Sequence, residues 1–266
     1  MTKRYQTPFP ADLILLNARH PGYRQNEFME NDHGHSTQEI ADRLSAGQQN
    51  FYLKDMIYGG IDGAVTTFAI VAGVEGAGLS HGVIVTLGIA NILADGFSMA
   101  ASNYSGTKAE LDDRRRIIKI EERHIEHHKE GELEELRQIL ELRGLTGDIL
   151  NSATEEISKN KDNWIAMMLT DEYGLPRDAP RPMHAALATF VAFLLAGSIP
   201  LIPFVLGLSS AFQISVLSTL LTFFLIGSGK SRWSLSRWWW SGAETFAIGA
   251  LAALIAYGVG GLFYSG

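Results

Sequence analysis

MIYGGIDGAVTTFAIVAGV, residues 56–74, and GVIVTLGIANILADGFSMAA, residues 82–101, decide the reading of this chain. As helices rising ~1.5 Å per residue, both are long enough to cross the hydrocarbon core of a bilayer. Each carries one carboxylate in its interior, Asp62 and Asp95. A charge at that depth costs on the order of 2.5–3.5 kcal/mol even on insertion-based scales, so it faces a partner, a cavity or an ion path. A long segment rich in Glu and His follows the second stretch. Together these features point to a membrane protein that handles a cation.

Three further apolar blocks lie at residues 183–206, 210–227 and 238–264, and Glu244 is the only formal charge within them. The hydrophobic share of 46% would suit a soluble protein, but the apolar residues are concentrated in the five blocks. Barrel strands are excluded by run length and by the lack of alternation. The expected fold is all-α: a polytopic membrane protein with five transmembrane helices and a cytoplasmic helical metal-binding domain between helices 2 and 3. The divisions are an N-terminal arm (1–54), spans one and two (55–109), the polar helical domain (110–178) and spans three to five (179–266).

Every one of the 22 Lys and Arg residues lies before span one, between spans two and three, or between spans four and five. By the positive-inside rule the N-terminus and the polar domain are cytoplasmic and the C-terminus is outside. Trp233 and Trp238, Trp239 and Trp240 fit an aromatic belt at the inner interface. This topology places Asp62, Asp95 and Glu244 roughly 10 Å below the inner surface, which predicts a shared polar cluster there. Glu244 would otherwise snorkel or pair with Arg237. The glycines around Asp62 and Asp95 permit close helix approach.

Cysteine is absent, so any metal must be held by Asp, Glu, His, Met or Asn. The first fifty residues contain no apolar signal segment, and the net charge of −7 argues against a nucleic-acid partner. On span two, Asn91, Asp95, Ser98, Met99 and Ser102 fall along one helical face. A carboxylate, an amide and a soft thioether on one stripe suit a divalent transition metal better than calcium or magnesium.

Span two is predicted to run on as a stalk to His128, since nothing breaks helix before Gly131. Further helices are expected over 132–143, stopped by Gly144, over 147–159, and from an Asp162 N-cap to Gly174 and Pro176. Glu121, His124 and His128 share one face. Glu132 and Glu135 repeat the spacing, and Met167, Met168 and Glu172 lie on the last helix. Acidic helical faces are commonly just solvated. Here His and Met are interleaved with the acids directly after a membrane helix carrying a buried Asp, which favours metal binding. The arm has no net charge, and its NDHGH run (31–35) offers at most a weak His pair.

The runs DMIYGGIDG (55–63), ADGFSMA (94–100), WIAMM (164–168), DEYGL (171–175) and SGAET (241–245) resemble the vacuolar iron transporter family from about Lys54 to the C-terminus. The resemblance implies a homodimer of five-helix protomers that exchanges cytosolic Fe²⁺ or Mn²⁺ for protons, with a three-helix domain gathering ions. Zn²⁺ would be accepted in vitro, and no tightly bound cofactor is expected. By position, the resemblance assigns Asp62 and Met99 to the pore, and Glu121, Glu132, Glu135, Glu172 and Met168 to the domain. Three positions depart from the family pattern. The span-two glutamate falls on Asn91, with Asp95 one turn later as its replacement. A domain glutamate falls on His124, and the second of two paired methionines falls on Leu169. Asp62 and Asp95 would couple metal to protons. A bacterial inner membrane suits the compact chain better than a vacuolar one. Two rival readings follow from the same residues: a membrane-anchored di-iron carboxylate enzyme (a ferroxidase) using Glu121-x-x-His124, or a metal-sensing membrane adaptor whose spans only anchor it.

Overall fold

The computed structural model describes residues 36–46, 52–176, 178–233 and 236–262, and the chain divides into two compact units after Gln49. In the first unit, α1 (Thr37–Ala46) opens on a capping box. The Glu39 carboxylate accepts from the Ser36 backbone N–H at 3.1 Å, and the Ser36 hydroxyl accepts from the Glu39 N–H at 3.3 Å. Those two hydrogen bonds satisfy donors that a helix start otherwise leaves open. The NDHGH run lies outside the described residues.

The second unit is helical throughout, with no strand among the described residues. Its helices are α2 (Leu53–Gly76), α3 (His81–His127), α4 (Lys129–Leu142), α5 (Gly147–Ser158), α6 (Lys161–Asp171), α7 (Pro182–Ser198), α8 (Ile202–Val205), α9 (Ala211–Lys230) and α10 (Trp238–Leu262). Five are long and apolar enough to cross a membrane: α2, the first half of α3, α7 continued through a 3₁₀ turn into α8, α9 and α10. The 3₁₀ turn falls where Pro200 and Pro203 cannot donate backbone hydrogen bonds. The Ser215 hydroxyl on α9 donates to the Pro200 carbonyl at 2.8 Å inside the bundle.

Helix α2 is the hub and packs on α3, α7, α9 and α10. Close approach depends on residues without side chains. A Cβ on Gly59 or Gly63 would collide with the Thr189 or Phe193 backbone of α7, and one on Gly260 of α10 would collide with the Gly73 backbone. Such small-residue faces let membrane helices gain packing contacts where no hydrophobic drive exists between them. Phe68, Val71, Ile84, Ile92, Leu201 and Phe204 fill the apolar core beside them. Leu93, Phe97, Leu195 and Leu254 point outward, as lipid-facing or partner-facing residues do.

The stalk continues α3 without a break to His127, as the sequence predicts. Helices α4, α5 and α6 fold back against it around Leu136, Ile139, Leu140, Leu150, Trp164 and Met168. Ile117 of the stalk packs with Ile165 and Leu169 of α6. Arg143 at the end of α4 donates to both carboxylate oxygens of Asp171 on α6, at 2.7 and 2.8 Å.

Two expectations need correction. Helix α4 begins at Lys129, not Glu132, because the turn falls at His128 and Gly131 is helical. The Leu133, Leu136, Ile139 and Leu140 face must lie on the domain core, and that packing outweighs the glycine's weak helix preference. Helix α6 is capped by Asn160, whose side chain accepts from the Asn163 N–H at 3.0 Å, not by Asp162. Asp162 sits in the first turn, where its charge favours the helix dipole. The stop at Gly144 holds: its φ of +93° suits glycine, and Leu145 N–H closes onto the Leu140 carbonyl at 3.1 Å.

Candidate metal centre

Two groups of polar side chains occupy positions that could hold a cation. The first lies within the apolar helices. Asp62 on α2 and Asp95 on α3 are half-buried and close enough to interact electrostatically. Asn91 Nδ2 donates to Thr66 Oγ1 at 3.2 Å, and Thr66 Oγ1 donates to the Asp62 carbonyl at 2.9 Å. This relay ties the apolar first half of α3 to the turn of α2 that carries Asp62. Met99 is half-buried one turn beyond Asp95. Glu244 is on an exposed face, paired with Lys230 at 3.1 Å. Lys230 ends α9 beside the start of the antiparallel α10, so it reaches Glu244 without the detour that snorkelling would need. Trp238, Trp239 and Trp240 are exposed, as an interfacial belt requires; the side chain of Trp233 lies outside the described residues.

The second group sits where the stalk meets α4 and α6. Ligand atoms of Glu121, His124 and Glu132 all lie within 4.8 Å of one another. Glu121 is 1% exposed and Glu132 6%. The turn at His128 produces this arrangement, because it returns Glu132 onto the face that carries Glu121 and His124. His124 Nδ1 is 3.3 Å from Glu132 Oε1, while Glu132 Oε2 is buried without a hydrogen-bond partner. Glu135 and Glu172 adjoin them, close enough to one another to interact electrostatically. Met168 is fully buried among Leu136, Leu140 and Trp164, and Met167 packs at the edge of that cluster.

Tyr173 was not singled out by the sequence, yet it belongs to this group. Its hydroxyl donates to Glu121 Oε1 at 2.8 Å and also contacts Glu172. The signal available was its place directly after Glu172, at a helix end turned by Gly174 (φ +65°). Asn103 was also missed. It donates to Asp55 Oδ1 at 2.8 Å and Thr189 Oγ1 at 2.7 Å, beside a cavity of about 430 Å³ that Asp55, Thr107 and Glu110 help to line.

Crowded carboxylates leave an electrostatic signature. Burial, then Glu121 and Glu135, push Glu132 above the ordinary carboxylate range. Burial, then Glu135 and Glu121, raise Glu172 from 4.5 to about 7. Burial and the hydrogen bond to Glu121 push the Tyr173 phenol up as well. Between pH 4.5 and about 7 the folded state therefore binds more protons at Glu172 than the unfolded chain does. Stability of the metal-free domain is expected to fall as pH rises through that window, and thermal unfolding of the detergent-solubilised protein across it checks the sign. A melting temperature rising from pH 4.5 to 7 would contradict the crowding.

The VIT family matches this chain over residues 53–261. Vacuolar iron transporter 1 of Arabidopsis thaliana is 33% identical over 208 residues, which cover 77% of this chain and 83% of the relative. Its namesake from Tulipa gesneriana is 33% identical over 208 residues, covering 77% and 84%. The vacuolar iron transporter of Toxoplasma gondii is 33% identical over 223 residues, covering 79% and 74%. The match takes in all five apolar helices and the polar domain between them. The chain is a multi-pass membrane protein and belongs to the VIT family.

Proposed function

We propose that this protein exports Fe²⁺ or Mn²⁺ from the cytosol in exchange for protons. The observation that carries the reading is the pairing of Asp62 and Asp95 across two apolar helices of a VIT-family chain, with a buried Glu–His–Glu group on the extension of one of them. Ions are gathered at Glu121, His124 and Glu132, with Glu135 and Glu172 beside them. They then pass to Asp62, Asp95 and Met99. A proton and a metal ion compete for the same carboxylate oxygens, so protonation from the far side releases the metal there. Burial of Met168 in the apolar cluster gives it a packing role in addition to any ligand role.

The positive-inside rule supports a cytoplasmic polar domain, and the compact chain suits a bacterial inner membrane. Leu93 and Phe97, 56% and 69% exposed on the helix that carries Asp95 and Met99, favour a second copy covering that face in a homodimer. Family membership and relatives named for iron transport support a transporter over an enzyme. One Glu-x-x-His motif is also half of what a symmetric di-iron bundle needs. Saturable Fe²⁺ or Mn²⁺ uptake into proteoliposomes is the expected result. Absence of flux together with oxygen consumption on adding Fe²⁺ would replace this reading by ferroxidase chemistry.

A further inference from the structure

We infer that His124 sets the metal preference of the Glu121–His124–Glu132 group, tilting it away from Mn²⁺ and towards Fe²⁺, Co²⁺ and Zn²⁺. The inference rests on the metal-binding reading of that group given above. An ion with bonds of ~2.0–2.2 Å holds its ligand atoms roughly 3–4 Å apart. His124 Nδ1 and Glu132 Oε1 already stand at 3.3 Å, and the third donor lies within 4.8 Å of both, so a small closure of the group completes it.

Two features indicate that the group is prepared for a ligand. Glu132 Oε2 is a buried acceptor with nothing to accept from, a costly state that a cation relieves. On the other side, Tyr173 occupies Glu121 Oε1 at 2.8 Å, which fixes that carboxylate and leaves its second oxygen for the ion.

Donor identity then decides among ions. Divalent affinities rise from Mn²⁺ through Fe²⁺ and Co²⁺, and imidazole suits the later metals while carboxylate suits Mn²⁺. Glu135 and Glu172 supply only oxygen. His128, its ring 6.3 Å from that of His124, is exposed. Within the triad the nitrogen comes from His124 alone, at a position where glutamate would keep the group all-oxygen and more negative.

The test is competitive binding of Mn²⁺ and Co²⁺ to the full-length protein in detergent, for wild type, His124→Glu and His124→Gln. The Co²⁺-over-Mn²⁺ preference is expected to shrink on the order of tenfold in both variants, with a shift in the visible Co²⁺ spectrum. His124→Gln keeps the side chain neutral, so loss of preference there assigns the effect to the nitrogen and not to charge. Binding of both ions with an unchanged ratio in either folded variant overturns the inference while leaving the metal-binding reading intact. Failure of the wild type to bind either ion overturns both.

Discussion

Replacing Asp62 by Asn is expected to abolish metal flux in proteoliposomes while leaving the fold and metal binding by the polar domain unchanged. The substitution preserves shape. The Thr66 hydroxyl donates to the backbone carbonyl of residue 62, so that bond survives. What disappears is one of two carboxylates, on α2 and α3, that lie close enough to interact electrostatically. An amide can neither exchange a proton near neutral pH nor offer an anionic oxygen to a divalent ion. A residual flux above a few per cent of wild type, with its pH coupling intact, would show that ions take another route. Asp62→Leu separates a transporter from a sensor anchored by inert spans, because only the sensor keeps its function with an apolar residue there.

The second large effect is structural. Gly63→Ala is expected to destabilise the bundle by about 1–3 kcal/mol, the usual range for overpacking. A larger aliphatic residue is expected to prevent assembly of a stable fold. At Gly63 the added carbon meets the Phe193 carbonyl and Cα of α7, which are backbone atoms and cannot rotate aside. Gly197, facing it, is close but less tight: its added carbon would lie 3.0 Å from the Gly63 carbonyl oxygen. Gly106 on the stalk is the control, since nothing lies within 4 Å of its missing Cβ. There Ala is expected to be neutral or to stabilise the helix by about 0.5–1 kcal/mol. Thermal unfolding monitored by size-exclusion chromatography in detergent reads both. Equal melting temperatures for Gly63→Ala and Gly106→Ala would mean that the α2–α7 contact is looser than described.

Much of this architecture is legible in the residues because it depends on run length and period. Five apolar blocks bounded by polar or turn-forming connections become five long helices, and the stalk follows from the lack of any proline between Ala101 and His127. Features set by tertiary packing are less legible. The fold-back at His128 carries no glycine or proline. It is required only because the apolar face of α4 must reach the domain core, and that requirement also brings Glu132 to His124. Glu244 pairs with Lys230 because α9 and α10 are neighbours, a relation that a one-dimensional count of charges does not contain. Tyr173 and Asn103 are common residue types that carry no metal-ligand signature. Their place beside Glu121 and Asp55 exists only once three helices have met. The proximity of Asp62 to Asp95 lies between these cases: equal depth is readable from topology, but which neighbouring helices bring the two together is not.

The most direct test of metal–proton exchange is flux in proteoliposomes with an imposed pH gradient, recording luminal metal and luminal pH together. An acidic lumen is expected to drive Fe²⁺ or Mn²⁺ inward through wild-type protein with a matching alkalinisation of the lumen, and collapsing the gradient is expected to stop both. Metal entry that proceeds at the same rate with the gradient abolished, and without proton movement, would contradict the account.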